Sequence, residues 1–338
     1  MSTVSVVIPV FNEQEVLPAL WAQLVPVLER CGLAWEVLFV DDGSRDASWE
    51  LLTRMRGADE RVTLVKLSRN FGHQMAISAG LTCARGDAVI VMDADLQDPP
   101  ELILKLIEHW REGYDVVYAV RTERRGEGAF KRGTAWAYQR LLDALSPVEI
   151  PVDTGDFRLM SRRTVDALNQ MPERARFVRG MVAWLGYRQI GVPFTRQGRH
   201  AGITKYPLRK MLSFAADGIF SFSTVPLRMV TIVGFGLSMA SMGYLSWAVL
   251  MVWLGRTVHG WASLIAVMAF IGSAQLISLG IIGEYVARIY REVKQRPLYL
   301  VDVVQQGSTH PARQVRTINQ QASMSENEDS AQGPTVQS

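Results

Sequence analysis

The stretch VMDADLQDPPE, residues 91–101, closes an apolar run and sets Asp93, Asp95 and Asp98 within six positions. Like charges so close repel each other, and a strand end has no packing use for them. The pattern implies a positive partner. Working outward, VVIPVFNEQE (6–15) carries Glu13 just past its apolar run, and WEVLFVDD (35–42) ends in Asp41 and Asp42. The apolar runs VSVVIPV, WEVLFVDD, VTLVKLS, DAVIVMDAD and YDVVYAV alternate with segments of helical spacing over residues 3–120. This order predicts an α/β fold with a mainly parallel, Rossmann-like sheet. Sheets of that kind bind ligands at the carboxyl ends of their strands, where these acids gather.

Each acidic segment also has a plainer reading. DDGS (41–44) alone reads equally as a turn followed by a helix cap. Asp98-Pro99-Pro100-Glu101 reads as a helix start, with Asp98 as the cap and Glu101 favouring the first turn. His73, Lys66 and Arg69 read as structural. Three acidic strand ends in one sheet are harder to explain that way. No GxGxxG follows the first strand and no GxxxxGK[ST] occurs, which excludes the dinucleotide and P-loop classes. A divalent metal, Mg²⁺ or Mn²⁺, is then expected to neutralise a bound diphosphate, because hard cations take carboxylate oxygens and keep open positions. Asp93 and Asp95 would point to opposite faces of a regular strand. Where the backbone turns, both can address one ion, with Gln97 assisting.

The chain has 338 residues, 48% hydrophobic and 20% charged, enough for a core. A net charge of +3 gives no argument for nucleic acid. Cys31 and Cys83 lack metal or CxxC spacing and read as buried thiols. The short apolar stretch 4–11 has no basic start, so no signal peptide is expected. Residues 229–255 and 260–283 carry no charge, and each exceeds the ~20 apolar residues a membrane-spanning helix needs. They predict a two-helix transmembrane hairpin. Arg256 is the one basic residue in the link, while Arg209, Lys210 and Arg228 precede the hairpin and Arg288, Arg291, Lys294 and Arg296 follow it. That bias predicts a multi-pass protein of the cytoplasmic (inner) membrane with its catalytic domain and both termini cytoplasmic. Residues 207–224 read as an amphipathic helix in the interface, and 301–338 as a disordered cytoplasmic tail. The expected division is 1–206 catalytic, 207–224 interfacial and 225–300 membrane hairpin with its basic flank.

PVFNE, VDDGS, RNFGHQMAISAG and VMDADLQDPPE, in this order and spacing, resemble glycosyltransferase family 2, which has the GT-A fold. The resemblance is to dolichol-phosphate-mannose-synthase-like enzymes. PVDTGDFRLMSRR and the two C-terminal spans resemble the bacterial polyprenyl-phosphate (bactoprenol) glucosyltransferases, so that the resemblance covers about residues 3–300. It implies an inverting transfer of a hexose, glucose from UDP-glucose, to polyprenyl (undecaprenyl) phosphate. It implies Pro9, Phe11, Glu13 and Asp42 at the nucleoside, and Asp93, Ala94, Asp95 and Gln97 at the diphosphate and metal. Asp156 falls at the family's catalytic aspartate, with Asp153 as a weaker neighbour. Arg199 and Lys205 match a basic pair that meets phosphate. In the Gly-rich segment after the fifth strand, Arg121 and Arg132 are expected to meet acceptor phosphate, because Arg offers paired donors. GDP-mannose, UDP-galactose or a UDP-amino-arabinose derivative would need few pocket changes. A non-catalytic membrane scaffold or flippase component is the alternative of another class. A homo-oligomer is left open.

Overall fold

The computed structural model describes residues 2–121, 154–174, 176–194, 225–255 and 261–306. The chain divides into two compact units, one of residues 1–128, 150–204 and 296–338, the other of 129–149 and 205–295.

In the first unit the sequence alternates as expected: β1 (Thr3–Val10), α1 (Leu17–Arg30), β2 (Ala34–Asp41), α2 (Ser48–Ala58), β3 (Val62–Leu67), α3 (His73–Cys83), β4 (Ala88–Val91), α4 (Leu102–Arg111) and β5 (Val116–Arg121). Then come β6 (Thr154–Ser161), α5 (Arg162–Gln170), α6 (Val178–Trp184) and β7 (Gln189–Phe194). The last strand, β8 (Val301–Gln305), follows the helices of the second unit. The described strands form one sheet in the order β7-β5-β6-β4-β1-β2-β3-β8. β1 pairs in parallel with β2 and β4, as β2 does with β3 and β5 with β7. β6 runs antiparallel between β4 and β5, and β8 antiparallel to β3. The sheet is therefore mixed.

Alternation along the central strands fills both faces. Val4, Val6 and Ile8 of β1 join Val37 and Phe39 of β2 under α1 and α4, through Leu20, Leu24, Leu28, Leu106 and Ile107. Val7, Leu38, Val40 and Val89 point the other way, against Ala76, Ile77 and Leu81 of α3 and Val165 and Leu168 of α5. A central strand buried on both faces needs this near-continuous apolar run. Gly80 lets α3 lie close, since a Cβ there would meet Val7 Cγ1 at 2.2 Å. Both cysteines are free thiols.

Two sequence expectations change here. Val301–Gln305, placed in the tail, is a strand of the sheet, held where alternate apolar side chains meet the open edge of β3. Asp98 does not cap α4; the helix begins at Leu102, Glu101 holds the cap position without a side-chain bond, and Asp98 is buried.

The second unit contains the long helices α7 (Val225–Trp253) and α8 (Trp261–Val293). Among the described residues, one stretch, Phe270–Val293, is long and apolar enough to cross a membrane. Met229–Tyr244 is apolar but shorter. α8 extends ten residues beyond 283. Among the described residues the expected two-span hairpin has one candidate span, and the other is not shown. The expected interfacial helix 207–224 lies outside the described residues.

Candidate functional site

The site forms where loops from β1, β2 and β4 meet the start of α3 and the entry to β6. After β1, Asn12 adopts a left-handed φ of 56°. Its N–H donates to Ser44 Oγ at 3.0 Å and its Oδ1 accepts the Arg45 N–H at 2.8 Å. Glu13 N–H donates to Ser48 Oγ at 2.9 Å. These bonds tie the β1 loop to the β2 loop. Gly43 is dictated by conformation and by space: its φ is +72°, and a Cβ would lie 2.6 Å from the backbone of Arg69. Phe11 is 42% exposed at this edge, whereas Pro9 is buried within β1.

The two acids of DDGS have separate tasks. Asp42 accepts the N–H groups of Phe71 at 2.7 Å and Gly72 at 2.9 Å, fixing the loop that leads into α3. Asp41 Oδ1 accepts the Ser44 N–H at 3.2 Å, while its Oδ2 is buried without a hydrogen-bond partner. Burial raises both carboxyls above the usual range; backbone N–H donors oppose the rise.

Sheet register creates the centre. β4 and β6 pair antiparallel with Val91 opposite Arg158. Carried two residues further along both strands, that register sets Asp93 against Asp156. His73, the first residue of α3, stands between them. Its Nε2 is 3.1 Å from Asp156 Oδ2 and 3.3 Å from Asp93 Oδ1. Asp156, 5% exposed, also accepts Gln74 Nε2 at 3.1 Å and Arg179 Nε and Nη2 at 2.8 and 3.3 Å. Arg158, buried in β6, lies 3.9 Å from it and donates to Gly155 O.

The two carboxyls differ sharply. Burial pushes Asp93 up to about 6; His73 opposes this, and Asp156, Asp95 and Asp98 add to it. Burial would also raise Asp156. The His73 hydrogen bond and the Arg179 guanidinium outweigh it and hold Asp156 far below the carboxylate range. His73 is raised despite burial, by its bond to Asp156 and the Asp93 charge.

The carboxylates suit a divalent cation in one particular way. Asp93 Oδ1 is buried and accepts no hydrogen bond, and Asp95 Oδ1 accepts only a short-range bond from Gln97 N–H at 3.1 Å. Among the described residues no group of three or more His, Cys, Asp or Glu forms a cage for a metal ion. Two carboxylates completed by substrate oxygens match the habit of Mg²⁺ and Mn²⁺ at diphosphates. Gln97 is buried, with Nε2 unpartnered.

Asp95 and Asp156 therefore both come close to Asp93, and Ala94 is buried in the core under α1 and α4. His73 was read from sequence as structural; it is at the centre instead, because register and helix start place it there. Gln74 and Arg179 carried no sequence signal that distinguished them. Lys66 lies over Trp49 and Arg69 over Phe71, both structural contacts. Arg121 is the last residue of β5, and its side chain, like all of Arg132, Asp153, Arg199 and Lys205, falls outside what is described.

A mixed α/β sheet with acids at its carboxyl edge, and no glycine-rich phosphate loop, does not match the dinucleotide and P-loop patterns. Comparison with known proteins makes the class specific. The family model for glycosyl transferase family 2 matches residues 5–168. The uncharacterized glycosyltransferase YkcC of Bacillus subtilis is 47% identical over 300 residues, 88% of this chain and 92% of its own. The uncharacterized glycosyltransferase sll0501 of Synechocystis is 48% identical over 298 residues, 88% and 94% of the two chains. The bactoprenol glucosyl transferase of Shigella phage SfII is 40% identical over 306 residues, 90% and 99%. Among solved structures, glucosyl-3-phosphoglycerate synthase from Mycobacterium tuberculosis, in complex with Mn²⁺, UDP-glucose and phosphoglyceric acid, aligns at 21% identity and TM-score 0.44 over 65% of this chain and 78% of that one. The chain belongs to glycosyl transferase family 2 and is a glycosyltransferase.

Proposed function

We propose that this enzyme transfers glucose, with inversion, from UDP-glucose to a polyprenyl phosphate at the cytoplasmic face of a bacterial membrane. The observation that carries the reading is Asp93: a part-exposed carboxylate just past β4 whose Oδ1 is buried and accepts no hydrogen bond within the fold, beside Asp95. His73 is the cationic group beside it, set against the three carboxyls of Asp95, Asp98 and Asp156, so a further cation at Asp93 and Asp95 would steady the anions. The name of the Shigella phage relative supports the lipid acceptor and the sugar. The apolar stretch Phe270–Val293 supports a membrane-bound enzyme, and the basic residues before 229 and after 283 support a cytoplasmic catalytic unit.

In this mechanism Asp93 and Asp95 hold Mg²⁺ or Mn²⁺, which when bound supplies Lewis-acid neutralisation of the leaving diphosphate. Gln97 Nε2 offers a donor to a diphosphate oxygen. Phe11 and Glu13 flank the nucleoside. Asp42 shapes that pocket by holding the 69–72 loop, and Asp41 Oδ2 is a second acceptor at the same edge. A phosphate oxygen of the acceptor attacks the anomeric carbon from the face opposite the leaving group. The new C–O bond forms as the bond to diphosphate breaks, and the electron pair leaves with the nucleotide. A phosphomonoester, with a second pKa near ~6, is already largely ionised at neutral pH. No strong base is needed, which agrees with an Asp156 held ionised by Arg179.

The test is incubation of the purified enzyme with undecaprenyl phosphate and a panel of UDP-glucose, UDP-galactose, GDP-mannose and a UDP-amino-arabinose derivative, with mass spectrometry of the lipid. A hexosyl lipid from UDP-glucose is expected; product only from another donor replaces the sugar assignment. Asp93→Ala and Asp95→Ala should each lower transfer by at least ~10²-fold while the protein stays folded, in keeping with the loss of transition-state charge stabilisation. Full activity in both with metal supplied would remove the cation from this site.

A further inference from the structure

We propose that the solvent-facing edge of the Asp156 cluster, made by His73 and Arg179, is the subsite for the acceptor's phosphomonoester, and that Asp156 is its buried positioning residue. This rests on the reading above and names the residues that touch the acceptor.

The cluster is anionic inside and cationic outside. Asp156 is 5% exposed, and both its oxygens receive N–H donors. A carboxylate so enclosed turns no lone pair toward an incoming group. The side chains that hold it face outward: His73 is 43% and Arg179 35% exposed. Arg158 shows the contrast. It is 5% exposed, 3.9 Å from the same carboxylate, and neutralises it from inside the fold. A purely structural counter-ion needs no more than that.

Arg179 and His73 are also arranged to receive something. Arg179 commits Nε and Nη2 to Asp156 and Nη1 to Thr154 O at 2.9 Å. A guanidinium has five N–H groups, so one on each Nη is left. The bidentate grip on Asp156 fixes its plane. Gln74 steadies the start of α6, accepting the Val178 N–H at 3.1 Å while donating to Asp156. His73 and Arg179 Nη2 converge on the same oxygen, Asp156 Oδ2. Both of those N–H groups are spent on Asp156, so the donors left for a phosphate are His73 Nδ1 and the free N–H on each Arg179 Nη, held in place by the bonds to Asp156. The same His73 Nε2 lies 3.3 Å from Asp93 Oδ1, so an anion held here lies beside the carboxylates assigned to the donor diphosphate.

The experiment uses the full-length enzyme in detergent and calorimetric titration with farnesyl phosphate, farnesol, inorganic phosphate, and UDP-glucose with Mn²⁺. Arg179→Gln should weaken farnesyl phosphate tenfold or more, with UDP-glucose binding within twofold of wild type, and His73→Gln should weaken farnesyl phosphate by a like factor. Arg179→Lys should fall between. Asp156→Asn should follow Arg179→Gln, raising KM for acceptor, because it acts by aiming Arg179. Farnesol should bind far more weakly than farnesyl phosphate. Inorganic phosphate should compete, showing that the headgroup is what is held. His73→Gln, at a half-exposed position, carries the test by itself if an Arg179 variant fails to fold. Unchanged farnesyl phosphate affinity in the variants overturns the subsite, as does a loss confined to UDP-glucose, which would give these residues to the donor. If wild type transfers to no lipid phosphate yet binds farnesyl phosphate through Arg179, the proposed transfer to a polyprenyl phosphate fails and the subsite stands.

Discussion

Asp93 and Asp156 face each other across two strands, yet one carboxyl is raised and the other depressed. Burial is common to both, so the difference lies in the donors: Asp156 has Arg179, and Asp93 has only the edge of His73. The same logic fixes a peripheral pair. Asp115, at the start of β5, is lowered chiefly by its hydrogen bonds from Arg163. A folded-state pKa below the unfolded value means stability present above about pH 4 and lost as pH falls through the folded pKa. Arg163→Ala should therefore destabilise the protein at pH 7, and the gap from wild type should close in acid; denaturant titrations at both pH values would show it. A constant gap would mean that Arg163 acts by packing on Tyr187. At Gly43, Ala should cost at least about 1–2 kcal/mol, from its positive φ alone. Chemical denaturation reads the loss, and a neutral result would mean that the 69–72 loop yields.

At the scale of elements, the run from β1 to β5 was legible because each central strand is buried on both faces and so is apolar throughout. The remaining strands were not. β6 carries Asp156 and Arg158 inside a buried strand, which breaks the apolar pattern. Those charges are tolerated because they meet each other and Arg179. β7 holds Pro193, and β8 is five residues in a polar region. The acidic strand ends of the site could be read, since charge at the end of an apolar run is a local signal. His73 and Arg179 could not, since only the β4–β6 register and the docking of α6 bring them to Asp156. β8 gives the clearest test at this scale. It covers the β3 edge, Ser68 N–H donates to Leu300 O at 2.9 Å, and Arg56 and Arg85 both bond Gln306. A chain ending after Gln306 should melt as the full chain does. One ending after Gln295 should melt several degrees lower, at roughly 2–4 °C per kcal/mol lost, and aggregate through the bare edge. Equal melting of the two would make β8 dispensable.

For the whole molecule, β8 changes how the long helices can be tested. The chain leaves the first unit, forms α7 and α8, and returns to finish the sheet. A truncation before α7 would strip β8 with the helices, so lost activity would say nothing about the membrane. The informative variant replaces 225–295 by a flexible linker and keeps 296–306. α8, at 33 residues, is about 50 Å long at 1.5 Å per residue, more than the ~30 Å of a bilayer core. Phe270–Val293 suffices to span, with Leu276 72% and Ile277 66% exposed to whatever surrounds it. If that surrounding is lipid, the helices confine the catalytic unit to the layer where a polyprenyl acceptor lives, and their contribution is one of effective concentration. The linker variant should then keep its turnover of farnesyl phosphate in solution. On undecaprenyl phosphate in detergent-free vesicles it should lose about 10²-fold or more, the usual scale of such tethering. Equal turnover on vesicles would deprive the helices of that role, and loss on both acceptors would mean that they act on the catalytic unit itself.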